Sequence, residues 1–168
     1  VSNPKNPKVI DRWNKGKLDM EGQDRMGNIL ISIARRGELR IFKILNNNKI
    51  YQNAELELPS IDIFNPKAFA IPALHTRIYK KGGKAYAMIT CPWSTKLMAV
   101  DITNPTHPKF ASSIETKIKG LEGIQIYKDH AYVGGFRSNY YKVYDISNPY
   151  KMKPVQWLSK PFFSQMVP

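Results

Sequence analysis

The sequence predicts an all-β protein: a β-propeller segment of about three four-stranded antiparallel blades, with partial blades at either end. Three observations lead there: a phrase recurring at blade-sized intervals, alternating strand-like segments ahead of each copy, and turn signals between those segments. The phrase Asp101-Ile102-Thr103-Asn104-Pro105 returns as Asp145-Ile146-Ser147-Asn148-Pro149, 44 residues later. Val1-Ser2-Asn3-Pro4 is the same phrase without its Asp, and residues 39–47 form a worn copy that lines up with 141–149. Anchored on the aliphatic that follows the Asp, the copies stand at residues 1, 44, 102 and 146.

Taken in order, residues 1–17 read as the outer strand of a preceding blade, with 8–13 as an orphan fourth strand. Residues 18–72 read as a degenerate blade with a longer connection, where Lys43 replaces the Asp and Asn46-Asn47-Asn48 replaces Asn-Pro. Residues 73–118 form a blade in which Thr76-Arg77-Ile78-Tyr79 and Lys84-Ala85-Tyr86-Ala87 are strands about a Gly82-Gly83 turn. Residues 119–160 form the next blade, with strands at 123–127, 131–135, 140–146 and 155–158. Here Ile124-Gln125-Ile126-Tyr127 matches Thr76-Arg77-Ile78-Tyr79, and His130-Ala131-Tyr132-Val133 matches Lys84-Ala85-Tyr86-Ala87. Residues 161–168 enter what reads as the next innermost strand. Three blades cannot close a ring that typically needs about 4 to 8. The open arc is expected to expose an apolar face on each terminal blade and to need the remaining blades from another fragment, subunit or copy.

The turn chemistry has a physical basis. Proline lacks the N–H a ladder needs, so Pro105 and Pro149 end the third strand, while Asn104 and Asn148 can close the turn with side-chain hydrogen bonds. Asp101 and Asp145 stand where a carboxylate can accept from the turn's amides, so all six residues are expected to be structural.

Ala-Tyr-Val followed by Val143-Tyr144-Asp145-Ile146-Ser147-Asn148-Pro149 and a later Pro154 resembles the LVIVD repeat of β-propellers. The likeness is good over 73–158, fair over 1–10 and poor over 18–72. The resemblance implies the propeller fold and an extracellular or cell-surface setting; it carries no catalytic residue with it.

Apolar residues make up 42% and charged residues 23% of the chain, which excludes a disordered tail, and no apolar run approaches the length of a membrane span. The net charge of +13 favours a polyanionic or acidic partner. Residues 63–100 hold no carboxylate but carry Lys67, Arg77, Lys80, Lys81, Lys84 and Lys96, a basic patch that is either a solvated surface or a face for an acidic protein or anionic polymer. Nucleic acid is the weaker expectation, because the tyrosines near basic residues are equally explained by blade packing. A single cysteine, Cys91, excludes an internal disulfide and reads as a core residue.

His75, His107 and His130 take different positions in the repeat, so no shared metal site is expected, and neither is a cofactor. His75 and Glu122 mark the candidate channel, each at the start of an innermost strand. The favoured function is a non-enzymatic interaction or scaffold module with a basic face. The alternative is a propeller enzyme with a metal or acid–base site at the central channel.

Overall fold

A computed structural model describes residues 5–13, 20–34, 37–59, 75–91, 95–135, 138 and 141–158, with the side chains of 156–158 excepted. Within them lie three four-stranded antiparallel sheets, each a meander in chain order. The first blade is β1 (Met20–Met26), β2 (Ile29–Ala34), β3 (Glu38–Ile44) and β4 (Ile50–Glu57). The middle blade is β5 (His75–Lys81), β6 (Lys84–Thr90), β7 (Lys96–Asp101) and β8 (Lys109–Glu115). The third is β9 (Leu121–Tyr127), β10 (His130–Gly135), β11 (Tyr141–Asp145) and β12 (Lys153–Leu158). Strands β1, β5 and β9 neighbour one another, so each blade's first strand is its innermost. The three blades are part of a propeller.

Alternation explains why the sheets stack. The middle blade is buried on both faces, so β6 reads as an almost continuous apolar run. Ala85, Ala87, Ile89, Met98 and Val100 pack with Ile31, Ile33, Leu39 and Ile41 of the first blade. The intervening Tyr86, Met88, Leu97 and Ala99 pack with Leu121, Ile124, Ala131, Val133 and Tyr144 of the third. Successive side chains of one strand therefore feed two different cores, the consequence of a period of 2.

The worn repeat of the first blade is a full blade. All three blades carry the same irregularity between the third and fourth strands, at Ile41/Phe42, Ala99/Val100 and Val143/Tyr144. Each skips one residue of the outer strand (Asn53, Ala111 and Val155), as a β-bulge does, bending that strand at the same level of every blade.

The register corrects one alignment. Tyr86 opposes Asp101 and His130 opposes Asp145, so Ala131 corresponds to Ala87, two residues beyond the Ala85 that the sequence match suggests. The cause is a longer β5–β6 hairpin: Tyr79 pairs with Tyr86 and the ladder continues to Lys81 opposite Lys84, whereas β9–β10 closes at Tyr127 opposite His130.

The two ends of the arc differ from each other. The outer face of the first blade mixes Leu30, Ala34 and Phe42 with Ser32 and Arg40, both buried, and Arg40 pairs with Glu38 at 2.9 Å and Glu55 at 3.2 Å. Residues 7–13 are not a strand: a strand exists only through a hydrogen-bonded neighbour, and none of the described ladders includes them. Instead they lie against this face. Trp13 packs edge-on to Phe42 at 5.2 Å and lies under the Arg40 guanidinium at 4.9 Å, while Asp11 accepts a 2.8 Å bond from the Ile50 amide. On the outer face of the third blade the apolar side chains are exposed: Tyr127, Tyr141 and Val155 by 63%, 43% and 53%. Residues 1–4 and 161–168 lie outside the described residues. Among the described residues, no helix is long and apolar enough to cross a membrane.

Candidate functional site: the turn face and the channel mouth

The strand order places the β1–β2, β5–β6 and β9–β10 hairpins and the three turns before β4, β8 and β12 at one end of the stack, called here the turn face. The recurrent phrase lies on it. Asp101 Oδ1 accepts from the Thr103 amide at 2.9 Å, and Asp145 Oδ1 from the Ser147 amide at 2.8 Å. Asn104 and Asn148 accept from the Thr106 and Tyr150 amides at 3.1 and 3.0 Å, and their carbonyls accept from His107 and Lys151. Pro105 and Pro149 sit inside these turns. Ile102 and Ile146, fully buried, anchor the phrase in the core, and their amides bond to the Ala85 and Asp129 carbonyls at 2.9 Å. The Ser147 hydrogen bonds hold the Asp145 carboxyl below its ordinary range.

Charged and hydroxyl side chains also stitch neighbouring blades. Asp24 of β1 accepts from the Ile78 amide at 2.6 Å and from the Arg25 amide at 2.8 Å. Asp129 accepts from Lys81 Nζ at 2.6 Å and from the Tyr79 hydroxyl, which together hold its carboxyl below the usual range. Burial and the Asp129 hydrogen bond in turn push the Tyr79 phenol well up. Tyr150 reaches back to Asp101 at 2.9 Å, and Ser112 Oγ donates to the Pro149 carbonyl at 2.5 Å. Both oxygens of Asp24, Asp101 and Asp129 are thus engaged within the protein.

Glutamates lie elsewhere. Glu21, Glu38, Glu55, Glu57, Glu115 and Glu122 all stand near strand ends on the opposite face, and they are the chain's entire complement of glutamate. The turn face keeps the short, internally bonded aspartates and projects exposed Arg25, Lys43, Lys49, Lys80, Lys84, Lys109, Lys128, Lys151 and Lys153.

Of the expected basic patch, Lys80, Lys81 and Lys84 share the β5–β6 hairpin on the turn face. Arg77 lies part-way along β5, half-buried, with one guanidinium N–H on the Thr76 carbonyl at 2.9 Å. Lys96 opens β7, opposite Glu115, at the other end of the blade. Lys67 lies outside the described residues. The described part of the acid-free stretch is therefore not one surface in space.

The channel candidates share an end of the inner strands. His75 pairs with Thr90, whose hydroxyl donates to the Glu122 carbonyl at 2.8 Å. Among the described residues, no three His, Cys, Asp or Glu side chains converge as a metal site. Cys91 is buried in the core between the first and middle blades.

Two adjoining hollows open on the turn face. One, of about 390 Å³, lies over the three inner strands and is lined by Asp24, Arg25, Ile78, Tyr79, Lys80, Ile126, Lys128 and Asp129. The second, of about 360 Å³, shares Lys80 and runs along the β5–β6 hairpin past Lys81, Gly82, Gly83, Lys84 and Thr103. Lys128 has a backbone φ of +51°, at the hairpin-tip position that Gly27 and Gly82 fill in the other blades. A side chain there costs about 1 kcal/mol relative to glycine.

The sequence match singled out neither Lys128 nor Arg25, Asp24 and Asp129. The one available signal was a lysine at a hairpin tip where glycine is the easy choice.

Comparison with known proteins agrees with this architecture. The LVIVD repeat pattern matches residues 85–116 and 122–155. No curated protein sequence is detectably similar to the chain. Among solved structures, the periplasmic gluconolactonase PpgL of Pseudomonas aeruginosa superposes with a TM-score of 0.58 at 10% identity, over 80% of this chain and 37% of its own length. The computationally designed Ika4 protein gives 0.59 at 11% identity, over 90% of this chain and 79% of that one. Both likenesses are of fold alone. The chain spans little more than a third of the gluconolactonase.

Proposed function

We propose that these LVIVD repeats form a non-catalytic binding module, a segment of a larger propeller that presents its turn face to an acidic or polyanionic partner outside the cytoplasm. The observation that carries this reading is the placement of the acids: the glutamates lie on one face, among Arg40, Lys96, Lys117 and Lys119, and on the other the lysines stand beside aspartates already bonded within the protein. Opposite charges gathered this way raise the local concentration and association rate of an anionic partner.

The reading is tested by charge reversal at Lys80 and Lys84, the hairpin lysines on either side of the Lys81 that pairs with Asp129. At low salt the double reversal should weaken retention on immobilised heparin and polyglutamate about tenfold, with the difference shrinking as salt screens it. Equal retention of the two proteins at low ionic strength would overturn the reading.

A further blade packed on the third blade's outer face completes the proposal, since Tyr127, Tyr141 and Val155 form the kind of apolar patch that a partner covers. The isolated 168-residue chain should then self-associate in light scattering, and Tyr141→Lys with Val155→Lys should reduce that association. A wild-type chain that stays monomeric at every concentration tested would refute this part.

A further inference from the structure

We infer that the two hollows on the turn face form one continuous groove for an anionic polysaccharide, a glycan chain bearing sulfate or carboxylate groups. The inference rests on the polyanion reading above and narrows it to a site and a ligand class.

The groove crosses all three blades. Arg25 of the first blade, Lys80 of the middle blade and Lys128 of the third line its deeper part, and Lys80 continues into the part that runs along the β5–β6 hairpin to Lys84. Of the two carboxylates in it, Asp24 accepts from the Ile78 and Arg25 amides, and Asp129 from the Tyr79 hydroxyl and from Lys81, which it pairs with at the surface; Arg25, Lys80, Lys84 and Lys128 are left facing the groove. Lys128 supplies the second, independent observation. Its left-handed backbone is a position glycine takes in both other blades, and the lysine there puts a cation at the groove's edge.

The ligand class follows from spacing and surroundings. In the deeper part Arg25, Lys80 and Lys128 come one from each blade, and stacked sheets lie about 10 Å apart, so the cations there are sparse. Single strands of a nucleic-acid duplex place phosphates every 3.4 Å or so along the axis, a much denser array. A protein partner would seat an anchoring side chain in an apolar pocket; the lining here is mostly charged side chains and glycines, with Met26, Ile78, Tyr79, Ala85, Thr103 and Ile126 between them.

The experiment titrates the full chain with a heparin oligosaccharide, oligogalacturonate, polyglutamate and single-stranded DNA at fixed low salt. Wild type should bind one or both glycans more tightly than the peptide or the DNA; a response to heparin alone assigns sulfate, and to both assigns acidic sugars generally. Reversal of Arg25, Lys80 and Lys128 to Glu should lower glycan affinity tenfold or more. The same charge change at Lys49, Lys109 and Lys151, on the outer turns of the three blades, should change it less than twofold. Lys128→Gly should raise the melting temperature while weakening the glycan, a combination that a purely structural lysine does not produce. Equal losses from the groove and outer-turn sets, or peptide or DNA bound as tightly as glycan, overturn the groove and its ligand while leaving the polyanion reading standing. Failure of wild type to bind any of the four polymers overturns both.

Discussion

Leu97→Ala is expected to destabilise the chain by about 3 kcal/mol, within the range of roughly 2–5 measured for leucine deletions in cores. Leu97 is fully buried in β7 and belongs to the core shared with the third blade, among Tyr79, Met88, Ile118, Leu121 and Ile124. The loss has two parts: the transfer energy of the removed methyl and methylene groups, and the cavity left between sheets that cannot slide together. They cannot because the opposite face of the same sheet is fixed by Met98 and Val100 against the first blade. Urea unfolding followed by tyrosine and tryptophan fluorescence reads the effect as a lower midpoint at unchanged slope. A loss below about 1 kcal/mol would show that the inter-blade core is not where the stability resides.

Gly135→Ala is expected to cost about 2–3 kcal/mol, the upper part of the range for overpacking. Gly135 ends β10, just past a register shift against β9. A Cβ there would meet the Lys119 carbonyl oxygen at 2.5 Å, the Gly120 carbonyl oxygen at 2.7 Å and Ile118 Cγ2 at 2.8 Å. Two of the three are backbone atoms of the connection that leads from β8 into β9, so relief requires that connection to move, and with it the buried Ile118 and Leu121. Gly134→Ala is the control. Its Cβ would meet only the ring of Tyr141, at 2.7 Å, and that ring is 43% exposed and can swing outward. The neighbouring substitution should therefore cost less than about 1 kcal/mol. Thermal unfolding of the pair gives the comparison directly; equal shifts would mean that the 116–120 connection yields as easily as a surface side chain.

Much of the blade plan was legible because it is local. The strands of the third blade, expected at 123–127, 131–135, 140–146 and 155–158, stand at 121–127, 130–135, 141–145 and 153–158. Two differences have physical causes. The fourth strand, expected to begin after Pro154, includes it: Pro154 lies inside β12 beside the bulge, on an edge strand where a missing N–H is tolerated. The Ala85-Tyr86 match slipped by two residues because four additional hairpin residues, two on each arm, lengthen β5 and β6 without disturbing their alternation.

The candidate site was less legible. Its partners come from different blades: Asp24 meets Ile78 across 54 residues, and Tyr79 meets Asp129 across 50. A repeat match compares equivalent positions, whereas these bonds join positions that are not equivalent. They were therefore invisible to it.

The sequence by itself determined the repeat, the period-2 alternation and the turn chemistry, because each is written within a few residues and depends on side-chain direction and proline geometry. Only the tertiary structure decided which charges share a surface. Consecutive strands run in opposite directions, so a lysine's face depends on which end of its strand it occupies: Lys84 and Lys96, twelve residues apart and alike in sequence context, stand at opposite ends of one blade. Stacking of the blades then gathers Arg25, Lys80 and Lys128, far apart in the chain, around one hollow.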